Sequence, residues 1–344
     1  MKYILSIAFI LTLCAFNAGK DLFYIPENWP IPNYDFNKNE LTEEKILLGR
    51  ALFYEPKLSA NNSISCESCH SPFSAFTHID HSLSHGIHDS IGNRNSPALM
   101  NLAWQNLFMW DGAVNNLDVQ ALAPISHPAE MGSTINEVVS KLSESGIYPA
   151  LYFKAFNDSL ITTERTLKAL SAFLVSLISA NSKYDRVKSG DEVFTPQEEN
   201  GYKLFLENCS SCHSEPLFTT NNFANNGLST DSMLQDTGRM KITQNPDDSL
   251  KFKIPTLRNI EYSFPYMHDG RFKKLREVIN HYTNSVVPSK TLAPELKKPI
   301  ILSSNEKTDL ISFLMTLSDK EFVFNPKQQY PKELFLPSGD RINK

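Results

Sequence analysis

Cys66-Glu67-Ser68-Cys69-His70 and Cys209-Ser210-Ser211-Cys212-His213 repeat one pentapeptide in the two halves of a 344-residue chain. Cys-x-x-Cys-His is the attachment pattern of a c-type haem. Its two thiols form thioethers with the porphyrin vinyls, and the adjoining imidazole reaches the iron from one face. A single copy is a weak signal; two copies point to a di-haem chain. Pooling the four cysteines into one zinc site leaves His70 and His213 unexplained. A thioredoxin-like redox motif needs a strand–helix–strand setting that the flanking sequence lacks.

Outward from the motifs, the preceding segments also repeat. Gly49-Arg50-Ala51-Leu52-Phe53 leads into the first and Gly201-Tyr202-Lys203-Leu204-Phe205 into the second. Each reads as the last turns of an amphipathic helix entering a haem-binding loop. Thr42 caps the first such helix, with Glu43 and Glu44 favourably placed in its first turn. Thr134-Ile135-Asn136-Glu137 is a capping box opening a helix to about residue 145. Across 163–178, Leu167, Leu170, Phe173, Leu174, Leu177 and Ile178 recur at helical spacing, the pattern of ordinary core. A further helix is expected over 306–317, capped by Ser303 or Ser304, with Leu310, Ile311 and Leu314 inward.

Strand patterns are few, and Pro outnumbers Gly, 20 to 13, which favours rigid irregular loops such as 219–250. The expected fold is mainly α: two cytochrome c-like haem domains joined in tandem with long irregular loops. The boundary is placed at Ser189-Gly190-Asp191, giving domains over 20–190 and 191–344. The tail after Asp319 lacks periodicity and is expected to cross the surface as extended chain.

The net charge of -5 gives no basic surface for nucleic acid. Residues 3–16, YILSIAFILTLCAF behind Lys2, are too few to span a bilayer and match a signal-peptide apolar core. A signal peptide over 1–19 and a soluble, periplasmic product are expected. Leu11-Thr12-Leu13-Cys14 resembles a lipobox with Leu13 where a small residue belongs, so lipid anchoring through Cys14 is the alternative. The other four of the five cysteines are all in the two motifs, which leaves no disulfide framework. Haem of c type is attached outside the cytoplasm, in keeping with export.

Further stretches resemble the bacterial di-haem cytochrome c peroxidase/MauG family over nearly all of the mature length. They are Leu41 to Lys45 with Gly49 to Phe53, Arg94-Asn95-Ser96-Pro97, Trp110-Asp111-Gly112 and Pro128-Ala129-Glu130-Met131. In the second half they are Phe252 to Asn259 and Pro265-Tyr266-Met267-His268-Asp269-Gly270. The resemblance implies that peroxide reacts at the haem held by Cys66, Cys69 and His70. The haem held by Cys209, Cys212 and His213 would receive electrons from a small donor protein, a cytochrome c or a copper protein. Glu130 matches the distal acid–base glutamate, though from residue type alone it is a solvated loop carboxylate. Gln120 matches a distal amide for bound peroxide, and Trp110 the tryptophan between the haems. Trp29 and Trp104 lack that context and read as packing. Arg94 and Arg258 are candidates to neutralise haem propionates. The resemblance also implies a calcium ion held by the Asn95 side chain and the main-chain oxygens of Ser263 and Pro265, with water completing its shell. Dimers are common in the family, but no residue marks an interface.

Two positions depart from the pattern. His78, His81, His85 and His88 crowd one segment; His85-Gly86 resembles the family's loop His-Gly, with two extra residues before Arg94. His85 is thus a candidate removable ligand of the first iron, and the cluster otherwise reads as a solvated loop or an adventitious metal site. At the second iron the peroxidases place a methionine fourteen residues beyond the His of His-Asp-Gly; here that position is Tyr282. MauG-type members carry a tyrosine ligand in this region, with Met267 and His281 as alternatives and simple aromatic packing as the plain reading. Methionine raises a haem potential, whereas phenolate favours ferric iron. Three functions follow: peroxide reduction to water, MauG-like oxidation of a partner protein, or electron carriage without peroxide chemistry.

Overall fold

The structure, a computed structural model, describes residues 22–79 and 81–335. It is rich in helix. Sheet among the described residues is one antiparallel ladder, β1 (Phe223–Ala224) with β2 (Phe252–Lys253). Helix α1 (Glu43–Phe53) starts where expected, the Lys45 N–H donating to Thr42 Oγ1 at 3.1 Å. Then come α2 (Ile135–Ser143), opened by the Thr134/Glu137 box, α3 (Tyr148–Phe156) and α4 (Thr163–Val175). The second half begins with α5 (Lys183–Ser189) and α6 (Pro196–Asn208). Pro196 suits the first position of α6, where its ring presets φ and no N–H is lost. Helices α7 (Leu275–Asn284) and α8 (Ser304–Met315), the latter capped by Ser303, complete the set that positions the site.

The sequence repeat is also a packing repeat. Helix α1 lies along α4, and α6 along α8. A Cβ on Gly49 would stand 1.9 Å from the Ala169 carbonyl oxygen and 2.9 Å from Phe173 Cβ. A Cβ on Gly201 would stand 1.9 Å from the Asp309 carbonyl oxygen and 2.9 Å from Phe313 Cβ. Glycine is needed at both crossings because the partner backbone occupies the Cβ position. The phenylalanine four residues on, Phe53 or Phe205, is fully buried behind the crossing, each worth about 1.5–3 kcal/mol.

Two apolar clusters result. One gathers Phe53, Phe76, Tyr148, Tyr152 and Phe173; the other gathers Tyr184, Phe205, Phe218 and Phe313. The chain does not divide between them at a single point. Tyr184, on α5, packs in the second, whereas Leu217, Phe322 and Val323 pack in the first. The tail after Asp319 therefore differs from the extended surface run expected. Lys320–Val323 is a helical turn with Phe322 and Val323 buried. Beyond it Tyr54 Oη donates to the Gln328 carbonyl at 2.8 Å and Arg50 Nη1 to that of Lys327 at 2.6 Å. Two adjacent apolar residues suffice to dock one turn, yet are too few to produce a period. No described helix is long and apolar enough to cross a membrane, and the expected signal peptide lies outside the described residues.

Candidate active site

The first motif is a tight turn behind α1, with the His70 N–H donating to the Cys66 carbonyl at 2.9 Å. His70 Nδ1 lies 2.8 Å from the Phe76 carbonyl oxygen. That carbonyl can only accept, so Nδ1 carries the proton and Nε2 is left as the ligating nitrogen. Burial pushes the His70 pKa down to about 4, which keeps the imidazole neutral, as ligation requires. Burial likewise pushes the Cys66 thiol up to about 12 and that of Cys69 to about 11.

Glu130 is near enough to Cys69 for its charge to raise that thiol. Burial holds the Glu130 carboxyl above its ordinary range, opposed by His127, whose Nδ1 is 3.8 Å from Oε1. The histidine segment presses on the same place. A Cβ on Gly86 would meet the Ala129 and Glu130 carbonyl oxygens at 2.2 and 2.4 Å, and the Ile87 N–H donates to the latter at 2.7 Å. Cys69 Sγ donates to the His85 carbonyl at 3.4 Å, while His85 Nδ1 is 3.1 Å from Asp89 Oδ1. His81 and His85 are in ring contact at 4.2 Å. Gln120 ends a helical turn and directs Nε2 to Met109 Sδ at 3.5 Å, next to Trp110.

Residues 95–97 link the two motifs. Ser96 hydrogen-bonds Cys69 and the Pro97 carbonyl faces the His70 ring. On the other side the Asn95 carbonyl accepts from Trp110 Nε1 at 2.7 Å. Trp110 in turn borders a cavity of about 250 Å³ with Cys209, Cys212, His213, Met267 and Tyr282. This is on the order of twenty times the ~10–15 Å³ that lodges one water, so it is a seat for a large group and no packing defect. His213 Nδ1 is held by two carbonyls, Phe218 at 3.2 Å and Pro255 at 3.1 Å. Burial pushes its pKa down to about 4, and that of Tyr282 up to about 12.

The family model for di-haem cytochrome c peroxidase matches residues 43–193. Methylamine utilization protein MauG of Methylorubrum extorquens is 35% identical over 312 residues, 87% of this chain and 84% of that protein. The chain belongs to the di-haem cytochrome c peroxidase/MauG family. Cytochrome c551 peroxidase of Nitrosomonas europaea is 33% identical, over 76% of this chain and 84% of its own. A solved MauG-like protein associated with microbial copper homeostasis superposes with a TM-score of 0.81 at 30% identity, covering 89% of this chain and 98% of that one.

The residues present fit the two haems of this family. Each imidazole has Nδ1 occupied by a carbonyl and Nε2 left over, and each stands beside two free thiols. Of the alternatives for the second iron, Tyr282 and Met267 border the cavity. His281 does not: it is buried with Nε2 spent on the Asn226 carbonyl at 3.0 Å.

The two arginines expected at propionates each also hold carboxylates of this chain. Arg258 is wholly buried, and its guanidinium donates to Asp185 at 2.8 and 2.9 Å and to the Pro216 carbonyl at 2.9 Å, three of its five N–H groups. Arg94 pairs with Asp236 and Asp111, both at 2.6 Å. Sequence reading missed these carboxylates because each is distant along the chain or masked in a motif. Asn95, Ser263 and Pro265 share the cavity wall, and Asn95 Nδ2 donates to the Ser82 carbonyl at 3.1 Å. Lys253, also on this wall, was not anticipated. Its Nζ has the neutral acceptors Gln105 Oε1 at 2.6 Å and the Leu107 carbonyl at 3.1 Å, and burial pushes its pKa down to about 8. Its signal was a lysine between Phe252 and Ile254 in an apolar strand.

Proposed function

We propose that this protein is an exported, periplasmic di-haem peroxidase. It reduces hydrogen peroxide to two waters, with electrons delivered singly by a small redox protein. The observation that carries the reading is the half-buried Glu130 carboxylate close to Cys69 of the first motif, a place where an acid–base group can serve peroxide. When bound, the haems supply the iron at which the O–O bond breaks and the store for the electrons. Glu130 takes the proton from the inner peroxide oxygen and returns it to the outer one, which departs as water. A carboxyl raised by burial suits that two-way transfer better than an ordinary glutamate. Gln120 offers its amide to the bound peroxide. Trp110, fixed by the Asn95 carbonyl, lies on the electron route between one haem in the N-terminal half and one in the C-terminal half. Asn95, Ser263 and Pro265 hold calcium with water, their all-oxygen set suiting a hard cation.

Glu130→Gln is the test. Both haems should remain attached while peroxide turnover falls steeply; full turnover in this variant removes Glu130 from the mechanism and with it the peroxidase assignment's main support. Tyr282 on the cavity wall favours a second reading, MauG-like oxidation of a partner protein. Product analysis with a reducing donor withheld separates the two: peroxide consumed only with donor present supports reduction, and covalent change in a partner supports oxidation.

A further inference from the structure

The cavity bordered by His213 has walls that carry very little charge. Among the described residues around it, Lys253 is the only lysine or arginine and Glu295 the only carboxylate. Lys253 belongs to β2, where its N–H donates to the Trp110 carbonyl at 2.7 Å, and its side chain is half-buried. An ammonium has three N–H groups to place. Two go to Gln105 Oε1 at 2.6 Å and the Leu107 carbonyl at 3.1 Å, and the Phe108 ring is 6.0 Å away. All three neighbours are neutral. No carboxylate of the described residues pairs with Lys253, whereas Arg94 and Arg258 are each engaged by aspartates. A cation withdrawn from water without a counter-charge is costly. The group this cavity suits would bring one, because attachment of a c-type haem consumes the vinyls and leaves both propionate carboxylates.

We propose that Lys253 is the counter-charge for a propionate of the second haem, a duty for which its charge, unlike that of the two arginines, is unspent. Gln105 and the Leu107 carbonyl hold the ammonium in place, and the third N–H is left for the propionate. Gln105 and Leu107 come from the N-terminal half and β2 from the C-terminal half, so the contact is made where the two halves meet at Trp110. The inference rests on the second haem occupying this cavity; it does not depend on peroxide being the substrate.

The test uses the holoprotein, without peroxide, and reads the reduction potential of each haem against pH. Lys253→Met removes the charge and keeps the length of the side chain. A carboxylate left beside an apolar side chain takes up a proton more readily, so in this variant a proton should arrive with the electron at the second haem. Its potential should then fall as pH rises through the neutral range and end below the parent's. In the parent the ammonium keeps the propionate ionised, and that fall is absent. His213, His268, Tyr266, Tyr282 and Glu295 also border the cavity, but they are common to both proteins, so the difference between the two curves reports the loss of Lys253. Lys253→Arg returns a charge and should restore the parent curve. Gln105→Leu weakens the support and keeps the charge, and should follow the parent too. Should Lys253→Met not mature with two haems, Lys253→Gln is read in the same way. Coincident curves for the parent and the neutral variant overturn the assignment, as does a change confined to the first haem. A shift that Gln105→Leu reproduces, or that Lys253→Arg fails to reverse, marks a merely structural role and overturns it as well.

Discussion

The two Cys-x-x-Cys-His centres are built alike up to the imidazole and differently beyond it. Each follows a helix whose glycine is pressed against a neighbouring backbone, at Gly49 and Gly201 alike. Each fixes its histidine through Nδ1 to a main-chain carbonyl. Around Cys69 the first centre meets the loops carrying Glu130 and His85, whereas the second opens on a cavity bordered by Tyr282 and Met267. Duplicated helices thus supply the same anchorage twice, and unlike loops divide the chemistry. A carboxyl raised by burial stands near one centre, and Tyr282 and Met267 line the cavity at the other.

The strongest way to break that division is Glu130→Gln, which keeps the shape and removes the base. Positioned acid–base groups contribute about 10²–10⁴-fold, so peroxide turnover should fall by a factor in that range with both haems retained. A stopped-flow assay beside a haem count checks it; a drop of less than about tenfold would place proton transfer elsewhere.

Arg258→Met comes next, and it acts on stability. The variant strands the Asp185 carboxylate beside a buried apolar side chain, and breaking a buried pair in this way costs about 3–5 kcal/mol. The guanidinium also holds the Pro216 carbonyl, close to the Phe218 carbonyl that fixes His213. Denaturant unfolding followed at each haem should therefore show the second centre lost before the first. The pair also has a pH signature. Arg258 holds the Asp185 carboxyl below its usual range, so its contribution is full above the unfolded value of about 3.9 and fades as pH falls through the lower folded value. In Arg258→Met burial, which raises the Asp185 carboxyl, is opposed only by the Ser182 hydrogen bonds, so that acid-side slope should shrink or reverse.

What was legible in the sequence follows the same divide. The anchors were readable because attachment chemistry fixes three residues within five and helix caps are local: Thr42, Thr134 and Ser303 each act within three residues. The crossing glycines showed as a repeat, though not what they touch. The partners of Arg94 and Arg258 were not legible, since Asp236 and Asp185 lie far away in the chain. The docking of Phe322 and Val323 was likewise invisible, because one helical turn is shorter than any period.

Alanine at the two glycines sharpens the comparison. Each substitution places a methyl 1.9 Å from a carbonyl oxygen, and forced overpacking typically costs about 1–3 kcal/mol. If the halves are equivalent scaffolds, Gly49→Ala and Gly201→Ala should lose similar amounts, each at its own haem. An order-of-magnitude asymmetry in the unfolding constants would show that one half templates the other.

The smallest effect is at His127, which belongs to the first centre's loop and has no counterpart duty at the second. Its positive charge lowers the Glu130 carboxyl while burial raises it, and burial prevails. In His127→Gln the opposing charge is gone, so the Glu130 pKa rises. The base must be ionised to accept the first proton, and the acid limb of the turnover–pH profile should therefore move to higher pH. Turnover on the alkaline side should be unchanged, because there Glu130 is ionised with or without His127. His127 is more than half exposed, so salt screens its influence, and the displacement between parent and variant should shrink as ionic strength rises. A limb that stays in place at low salt would mean that a group other than Glu130 sets it.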